Sequence, residues 1–126
     1  MKILVVDDES DVKTLFEQRF RREIRSGEME FLFAFSGEDA LTCLEKHTGE
    51  SFLVLSDINM PGMTGLELLK KIKEEFEKPS PPVIMVSAYG DQENYNCAMK
   101  YGANGFLTKP VDFSSLKEKL KTVIAA

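Results

Sequence analysis

The arrangement of short apolar runs along the chain is the feature that most constrains its fold. Four runs, at residues 3–6, 31–35, 52–55 and 83–86, contain no polar residue, and a shorter fifth run covers 105–107. Continuous apolar runs of this length are typical of strands that are buried on both faces of a parallel sheet. We therefore predict five β-strands at these positions.

Segments with helical periodicity separate the predicted strands. Apolar residues repeat every three or four positions after the first, third and fifth runs, which predicts amphipathic helices there. The three stripes are Val12, Leu15, Phe16, Phe20 and Ile24; Leu66, Leu69, Ile72 and Phe76; and Phe113, Leu116, Leu120 and Val123. Ser36, with Asp39 three residues later, indicates a helix start after the second run, and a less clearly patterned helix is expected over 91–101. Strand and helix alternate five times, which predicts an α/β fold with a parallel sheet and helices on both faces.

Length and composition restrict the class of protein. The chain has 126 residues, a hydrophobic fraction of 43% and a net charge of −5, so we expect one globular domain over residues 1–126 without a basic face for nucleic acid. The apolar runs are far shorter than the roughly 18 residues of a membrane span, and no signal peptide is evident, so the cytoplasm is the expected location.

Cys43 and Cys97 lack a CxxC spacing and are expected to be reduced thiols in helices, and His47 is expected to be a surface or capping residue. Four arginines cluster where cations stabilise the end of the first predicted helix: Arg19, Arg21, Arg22 and Arg25.

Polar side chains follow four of the five predicted strands. Asp7 and Asp8 follow the first strand, Asp57 the third, Ser87 the fourth and Lys109 the fifth. Because ligands bind at the carboxyl edge of an open parallel sheet, these groups are expected to lie on one rim. Clustered carboxylates repel each other unless they share a proton or hold a cation, and hard oxygen ligands suit Mg²⁺. A lysine beside such a metal would pair with a bound anion such as a phosphoryl group.

Each of these residues also has an ordinary structural interpretation. Asp8 could cap the first helix, with Asp11 three residues later, and Asp57 could open the turn that follows it. Ser87 could bond to backbone at a strand end, and Lys109 could lie in a surface loop. For any one residue the structural interpretation is favoured, since short motifs often mislead. Together these interpretations require four unconnected coincidences, which favours a metal and phosphoryl site.

Four segments of the sequence resemble the receiver domain of two-component response regulators. They are ILVVDDE at 3–9, LSDINMPGMTGLELL at 55–69, VIMVSAYGD at 83–91 and GANGFLTKPVDFSSL at 102–116. The resemblance covers essentially the whole chain. It implies a flavodoxin-like, doubly wound (βα)5 fold with a five-stranded parallel sheet of order 2-1-3-4-5.

The resemblance implies roles for the acidic residues. Asp57 corresponds to the carboxylate that accepts a phosphoryl group. Asp7 and Asp8 correspond to the acidic pair that holds Mg²⁺, and Asn59 to the residue whose backbone carbonyl completes the metal site with Asp57.

The remaining correspondences concern phosphoryl binding and switching. Ser87 and Lys109 correspond to the hydroxyl and ammonium groups that contact the phosphoryl group, and Pro110 to a proline whose cis peptide directs Lys109 into the site. Phe106 corresponds to an aromatic switch residue that turns inward when Ser87 is drawn toward the phosphate.

The implied function is that of a signalling switch rather than an enzyme acting on a separate substrate. A histidine kinase or phosphotransfer protein would phosphorylate Asp57 with Mg²⁺, and the chain would catalyse only its own phosphorylation and dephosphorylation. The face made by the fourth predicted helix, the fifth strand and the fifth predicted helix would then change and act on an output domain or partner protein. The resemblance leaves open a phosphorylation-dependent dimer through the same face.

Three other functions share parts of this pattern. An aspartate-nucleophile phosphohydrolase uses the same residue types, but its nucleophile normally follows the first strand as Asp-x-Asp, and no cap domain is evident. A receiver-like module that never needs phosphorylation would not require the complete acid set. A flavin-binding protein of the same fold needs a Ser/Thr/Gly-rich phosphate loop where this chain has DDES at 7–10.

Overall fold

A computed structural model of the protein describes residues 1–76, 80–88 and 92–125, and five parallel strands form its single sheet. The strands are β1 (Lys2–Val6), β2 (Glu30–Ala34), β3 (Phe52–Asp57), β4 (Val83–Ser87) and β5 (Gly105–Thr108). Their order is β2-β1-β3-β4-β5, so β1, β3 and β4 are the three inner strands. The predicted fold class and strand order are confirmed.

The described part of the chain contains six helices. They are α1 (Asp11–Arg19), α2 (Arg21–Arg25), α3 (Gly37–Lys46), α4 (Gly65–Glu75), α5 (Gln92–Lys100) and α6 (Phe113–Ala125). The prediction of one continuous first helix is wrong, because the backbone leaves the helical conformation at Phe20 (φ −110°, ψ 23°). The fourth and fifth predicted helices are therefore α5 and α6, and Asp91, the predicted first residue of α5, lies outside the described residues.

The helix starts follow local capping chemistry. The Ser36 hydroxyl accepts a hydrogen bond from the backbone N–H of Asp39 at 3.0 Å, which confirms the predicted start of α3. Thr64 and Glu67 form a reciprocal capping box at the start of α4. The capping interpretation of Asp8 is wrong, because α1 begins at Asp11 and its N-cap position is Ser10.

Helices cover both faces of the sheet because successive strand residues point to opposite sides. One core lies under α3, α4 and α5, and it includes Leu4, Val6, Val54, Met85, Leu68, Leu69 and Ile72. The other lies under α1 and α6, and it includes Ile3, Val5, Leu53, Leu55, Ile84, Phe16, Phe20, Leu116 and Leu120. The first predicted stripe is only partly buried, since Leu15 and Ile24 keep 40% and 37% of their surface exposed.

None of the helices in the described ranges has the length and apolar character needed to cross a bilayer.

Candidate functional site

Three carboxylates meet at the carboxyl edge of the sheet. Asp57 is the last residue of β3, and Asp7 and Asp8 directly follow β1. Since β1 and β3 pair up to Val6 and Ser56, the residues that follow are held side by side. One oxygen from each of the three carboxylates lies within 4.8 Å of the others. We call Asp7, Asp8 and Asp57 the carboxylate cluster; its first and last members are buried, whereas Asp8 is exposed.

Lys109 supplies the positive charge that faces this cluster. Its Nζ lies 3.3 Å from Asp57 Oδ2 and 3.6 Å from Asp7 Oδ2. The backbone N–H of Lys109 donates to the carbonyl oxygen of Ser87 at 2.7 Å, which anchors the residue to the end of β4. The Lys109–Pro110 peptide is cis, the geometry that the resemblance assigns to this position.

The electrostatics of the site are set by burial and by two neighbouring acids. Burial raises the pKa of the Asp57 carboxyl above its usual range and Asp7 adds to this, while Lys109 and the backbone N–H of Asn59 oppose it. Burial alone would lower the pKa of Lys109, but the charges of Asp57 and Asp7 outweigh that effect and raise it. Lys109 is thus close to two of the three carboxylates, and the negative charge that it leaves uncompensated favours binding of a further cation.

The oxygen atoms of the cluster fit a hard divalent cation. Asp57 Oδ1 is buried and has no hydrogen-bond partner among the described residues, which is a costly state for a carboxylate oxygen. Asp7 Oδ1 accepts the backbone N–H of Glu9 at 3.0 Å, which fixes that carboxylate beside Asp57. Carboxylate oxygens from two strand ends are the ligands that Mg²⁺ prefers. Asn59, two residues beyond Asp57, is exposed at the start of the following loop.

Ser87 and Phe106 lie on the strands beyond Asp57. Asp57 pairs with Val86, so Ser87 stands one position further along the same edge, fully buried at the end of β4. Phe106 is half-buried on β5, and its ring meets the ring of Tyr95 on α5 edge-on at 5.4 Å. The structure thus brings Ser87 to the rim of the cluster and places Phe106 against α5.

Gly65 is a residue of this site that the sequence reasoning missed. Its backbone N–H donates to the Ile58 carbonyl oxygen at 2.8 Å, and a Cβ on Gly65 would lie 2.0 Å from the carbonyl oxygen of Asp57. The start of α4 therefore touches the backbone of Asp57. The available signal was the Thr64-to-Glu67 capping sequence, which places a helix start only a few residues after the acid.

Comparison with known proteins finds relatives that are similar to this chain in sequence and in structure. A sequence profile described as the response regulator receiver domain matches residues 3–121. A chemotaxis protein CheY homolog of Campylobacter jejuni is 37% identical over 124 residues, covering 98% of this chain and 92% of the relative. A response regulator receiver domain protein from Clostridium thermocellum has a similar structure, with a TM-score of 0.85 and 31% identity over 98% of this chain and 94% of that one. A putative two-component system response regulator/GGDEF domain protein also matches with a TM-score of 0.85 and 26% identity, over 99% of this chain and 49% of the longer one.

Proposed function

Because this chain belongs to the response regulator receiver domain family, we propose that it is a phosphorylation-dependent signalling switch whose acceptor is Asp57. The observation that carries the proposal is the carboxylate cluster with Lys109 against it. Two buried carboxylates, one exposed carboxylate and one cation lie on a single rim, with Asp57 at the end of the central strand. We further propose that residues 1–126 form one receiver domain.

The chemistry assigned to the chain is transfer of a phosphoryl group. A carboxylate oxygen of Asp57 attacks the phosphorus of the donor, and the bond from phosphorus to the donor breaks with its electron pair leaving on the donor. Lys109, already 3.3 Å from Asp57 Oδ2, neutralises charge on the phosphoryl oxygens, and the Ser87 hydroxyl donates to one of them. Mg²⁺, held by Asp7, Asp8, Asp57 and the backbone carbonyl of Asn59, would supply additional charge neutralisation when bound.

The output of the switch is assigned to the surface of α5, β5 and α6. Ser87 and Phe106 lie on the neighbouring strands β4 and β5, and the ring of Phe106 contacts Tyr95 of α5. A displacement of Ser87 can therefore change the packing of Phe106 and, through it, the surface of α5. Such a switch needs two states of similar free energy that the phosphoryl group biases. The proposed readers of this surface are an output domain, a downstream protein or a second copy of the chain.

The proposed phosphodonor is a histidine kinase or a phosphotransfer protein, and the proposed compartment is the cytoplasm. The similarity to chemotaxis and two-component proteins supports a phosphorelay partner. The net charge of −5 argues against direct binding to nucleic acid by this chain.

Intact-mass spectrometry after incubation with acetyl phosphate and Mg²⁺ tests the proposal. We expect a single added phosphoryl group on the wild-type protein, and none when a chelator is present from the start of the incubation. Asp57→Asn should gain no adduct, whereas Asp39→Asn, which changes an exposed aspartate on α3, should gain it as the wild type does. An adduct on Asp57→Asn would refute the assignment of the acceptor, and sustained hydrolysis of a phosphate monoester over many turnovers would favour a phosphohydrolase instead.

A further inference from the structure

All the arginines of the chain lie at 19–25, and the stabilising effect of cations at a helix end accounts for only part of this cluster. Arg19 is the last residue of α1, where a positive charge is favourable. Arg21, Arg22 and Arg25 belong to α2, which begins after the break between the two helices. Arg21 is the first residue of α2, the end at which a cation is unfavourable. The arginines of α2 therefore require a separate explanation.

Three exposed side chains lie together on α2. Arg21, Ile24 and Arg25 occupy positions i, i+3 and i+4, which are neighbours on a helix surface. Ile24 keeps 37% of its surface exposed between the two guanidinium groups. Glu23 lies on the opposite side of the helix, where it is buried and its carboxylate pairs with Lys117 of α6 at 2.7 Å. We call Arg21, Ile24 and Arg25 the α2 face.

The positive charge of the α2 face is not neutralised within the described part of the chain. Neither Arg21 nor Arg25 forms an ion pair or a side-chain hydrogen bond there, whereas lysines of α6 pair with the acids of α2 and of the turn that follows it. Like charges at i and i+4 repel each other, so the fold keeps this pair at a small cost. The donor fork of a guanidinium matches a carboxylate. The α2 face is thus an unused receptor for carboxylates beside an apolar side chain.

The acids around the α2 face favour a short acidic segment over an extended polyanion. Glu17 precedes the face in the chain, Glu28 and Glu30 follow it, and all three are exposed. A nucleic-acid duplex or an anionic bilayer carries negative charge over a broad surface, which would meet these acids and the net charge of −5. A few carboxylates on a peptide can contact the arginines alone, and a peptide can also place an apolar side chain on Ile24.

We propose that the α2 face docks an acidic segment of a partner protein, one that carries an apolar residue between its carboxylates. The carboxylates pair with Arg21 and Arg25, and the apolar residue packs on Ile24. The turn after α2 lies at the amino edge of the sheet, since the backbone N–H of Glu30 donates to the Met1 carbonyl oxygen at 2.8 Å. The carboxylate cluster lies at the carboxyl edge, so docking at the α2 face leaves it accessible.

An NMR titration at low ionic strength tests the proposal on the whole chain, with the acetylated and amidated peptide EDDLDDE as probe. We expect saturable shifts of the backbone amides of Arg21, Ile24 and Arg25, with those of α3 unaffected. The uncharged analogue QNNLNNQ should give no saturable shifts, and added NaCl should weaken binding of EDDLDDE, because exposed ion pairs are screened. EDDADDE should bind about threefold more weakly, since part of an apolar side chain is lost. No metal or phosphodonor is added, so the outcome is independent of the assignment of Asp57.

Variants of the α2 face separate its charge from its apolar contact. The double variant Arg21→Gln/Arg25→Gln should weaken EDDLDDE binding roughly tenfold, the loss expected for two exposed ion pairs. Lys46→Gln, which removes an exposed cation of α3, should bind as the wild type does. Ile24→Ala should weaken binding of EDDLDDE about threefold and leave that of EDDADDE unchanged. A thermal melt checks that each variant is folded.

Four results would overturn the proposal. They are the absence of saturable shifts in the wild type, equal losses for the double variant and Lys46→Gln, the same affinity of the wild type for EDDLDDE and EDDADDE, and equal shifts with sodium sulfate at matched ionic strength. Tighter binding of the α2 face to phosphatidylserine vesicles or to a short DNA duplex than to EDDLDDE would assign it to a membrane or to nucleic acid, and would also overturn the proposal.

Discussion

At the scale of single residues, Asp7 and Asp8 are adjacent in sequence but contribute differently to the fold. Asp7 is buried, accepts the backbone N–H of Glu9 and lies 3.6 Å from the ammonium of Lys109. Asp8 is exposed and has no hydrogen bond or ion pair within the described ranges. Removing Asp7 therefore removes structural contacts together with a proposed ligand, whereas removing Asp8 isolates the ligand role.

We expect Asp8→Ala to weaken Mg²⁺ binding by tenfold or more, since it removes one of the hard oxygen ligands. Without Mg²⁺ its free energy of unfolding should be unchanged or slightly higher, because one of the mutually repelling charges is gone. A calorimetric Mg²⁺ titration and urea unfolding in chelator measure the two effects.

Asp11→Ala is the matched control for Asp8→Ala. It removes another exposed aspartate three residues away, in the first turn of α1, and should keep wild-type Mg²⁺ affinity. It should lose only the few tenths of a kcal/mol that an acid contributes at a helix N-terminus. An unfolded Asp8→Ala protein, or one with wild-type Mg²⁺ affinity, would contradict the assignment.

The sequence could predict the members of the carboxylate cluster but not Gly65. Asp7, Asp8 and Asp57 are predictable because parallel strands bring the residues at their carboxyl ends to one edge of the sheet. Gly65 matters through a backbone approach between the start of α4 and the end of β3, and no pattern of apolar or charged residues encodes that distance. The carboxylate cluster can be predicted from the order of strands along the chain, whereas the role of Gly65 can be recognised only from the three-dimensional structure.

At the scale of elements, the contact between α4 and β3 makes Gly65→Ala a disruptive change. A Cβ there would lie 2.0 Å from the Asp57 carbonyl oxygen, a backbone atom held within the central strand. We expect a loss of about 2–3 kcal/mol, toward the upper end for overpacking in a rigid site. Urea unfolding at neutral pH gives the value.

Gly37→Ala is the control, because Gly37 holds the same position in α3 that Gly65 holds in α4. Its added Cβ would lie 2.7 Å from the sulfur of Met63 and 2.9 Å from the Cβ and Cγ of the same residue. The thioether can turn aside and the loop that carries Met63 must shift slightly, which costs less than displacing the backbone of a central strand. The loss should be well below that of Gly65→Ala. Equal losses for the two variants would mean that the contact with Asp57 is not the cause.

The break between α1 and α2 shows where periodicity stops being informative. Phe16, Phe20 and Ile24 continue one helical stripe through the break, so the sequence pattern predicts a single helix. In the structure Phe20 is fully buried, with its ring centroid 5.1 Å from that of Phe31 on β2, and Ile24 is left exposed. Packing against the sheet edge therefore decides the helix boundary, and local pattern cannot report it.

An ion pair to α6 holds α2 in its position. Lys117 Nζ lies 2.7 Å from Glu23 Oε2, and this hydrogen bond holds the pKa of Glu23 below its usual range. We expect Glu23→Gln to cost about 1 kcal/mol near neutral pH, the upper range for a pair that is partly exposed. Because the pKa of Glu23 is lower in the folded protein, the wild-type advantage is fully present above the unfolded pKa. It is lost as the pH falls through the folded pKa.

Urea unfolding from neutral to acid pH tests this pair, with Glu28→Gln as control. Glu28 and Lys121 link the turn after α2 to α6, close to the Glu23–Lys117 pair. Their charged atoms are 3.7 Å apart, and both side chains are about half exposed. That variant should change the free energy of unfolding by a few tenths of a kcal/mol at most. A cost for Glu23→Gln that stays constant down to acid pH would exclude the ion pair as its origin.

At the scale of the whole molecule, the carboxylate cluster exists only in the folded chain. Asp8 and Asp57 are far apart in sequence, and they meet because β1 and β3 are neighbours in the sheet. An unfolded chain offers isolated carboxylates with little affinity for Mg²⁺. The proposed metal site therefore couples binding to folding, since a ligand that binds only the native state stabilises it.

We accordingly expect Mg²⁺ to raise the free energy of unfolding by about 1.4 kcal/mol for each tenfold increase in free Mg²⁺ above its dissociation constant. Urea unfolding in a series of MgCl₂ concentrations, with ionic strength held constant by NaCl, separates binding from screening. Asp11→Ala should reproduce this slope. Asp8→Ala should reach the same slope only at higher Mg²⁺, because its site is weakened and not lost. A wild-type stability that does not change with Mg²⁺ at constant ionic strength would show that the three carboxylates do not form a metal site.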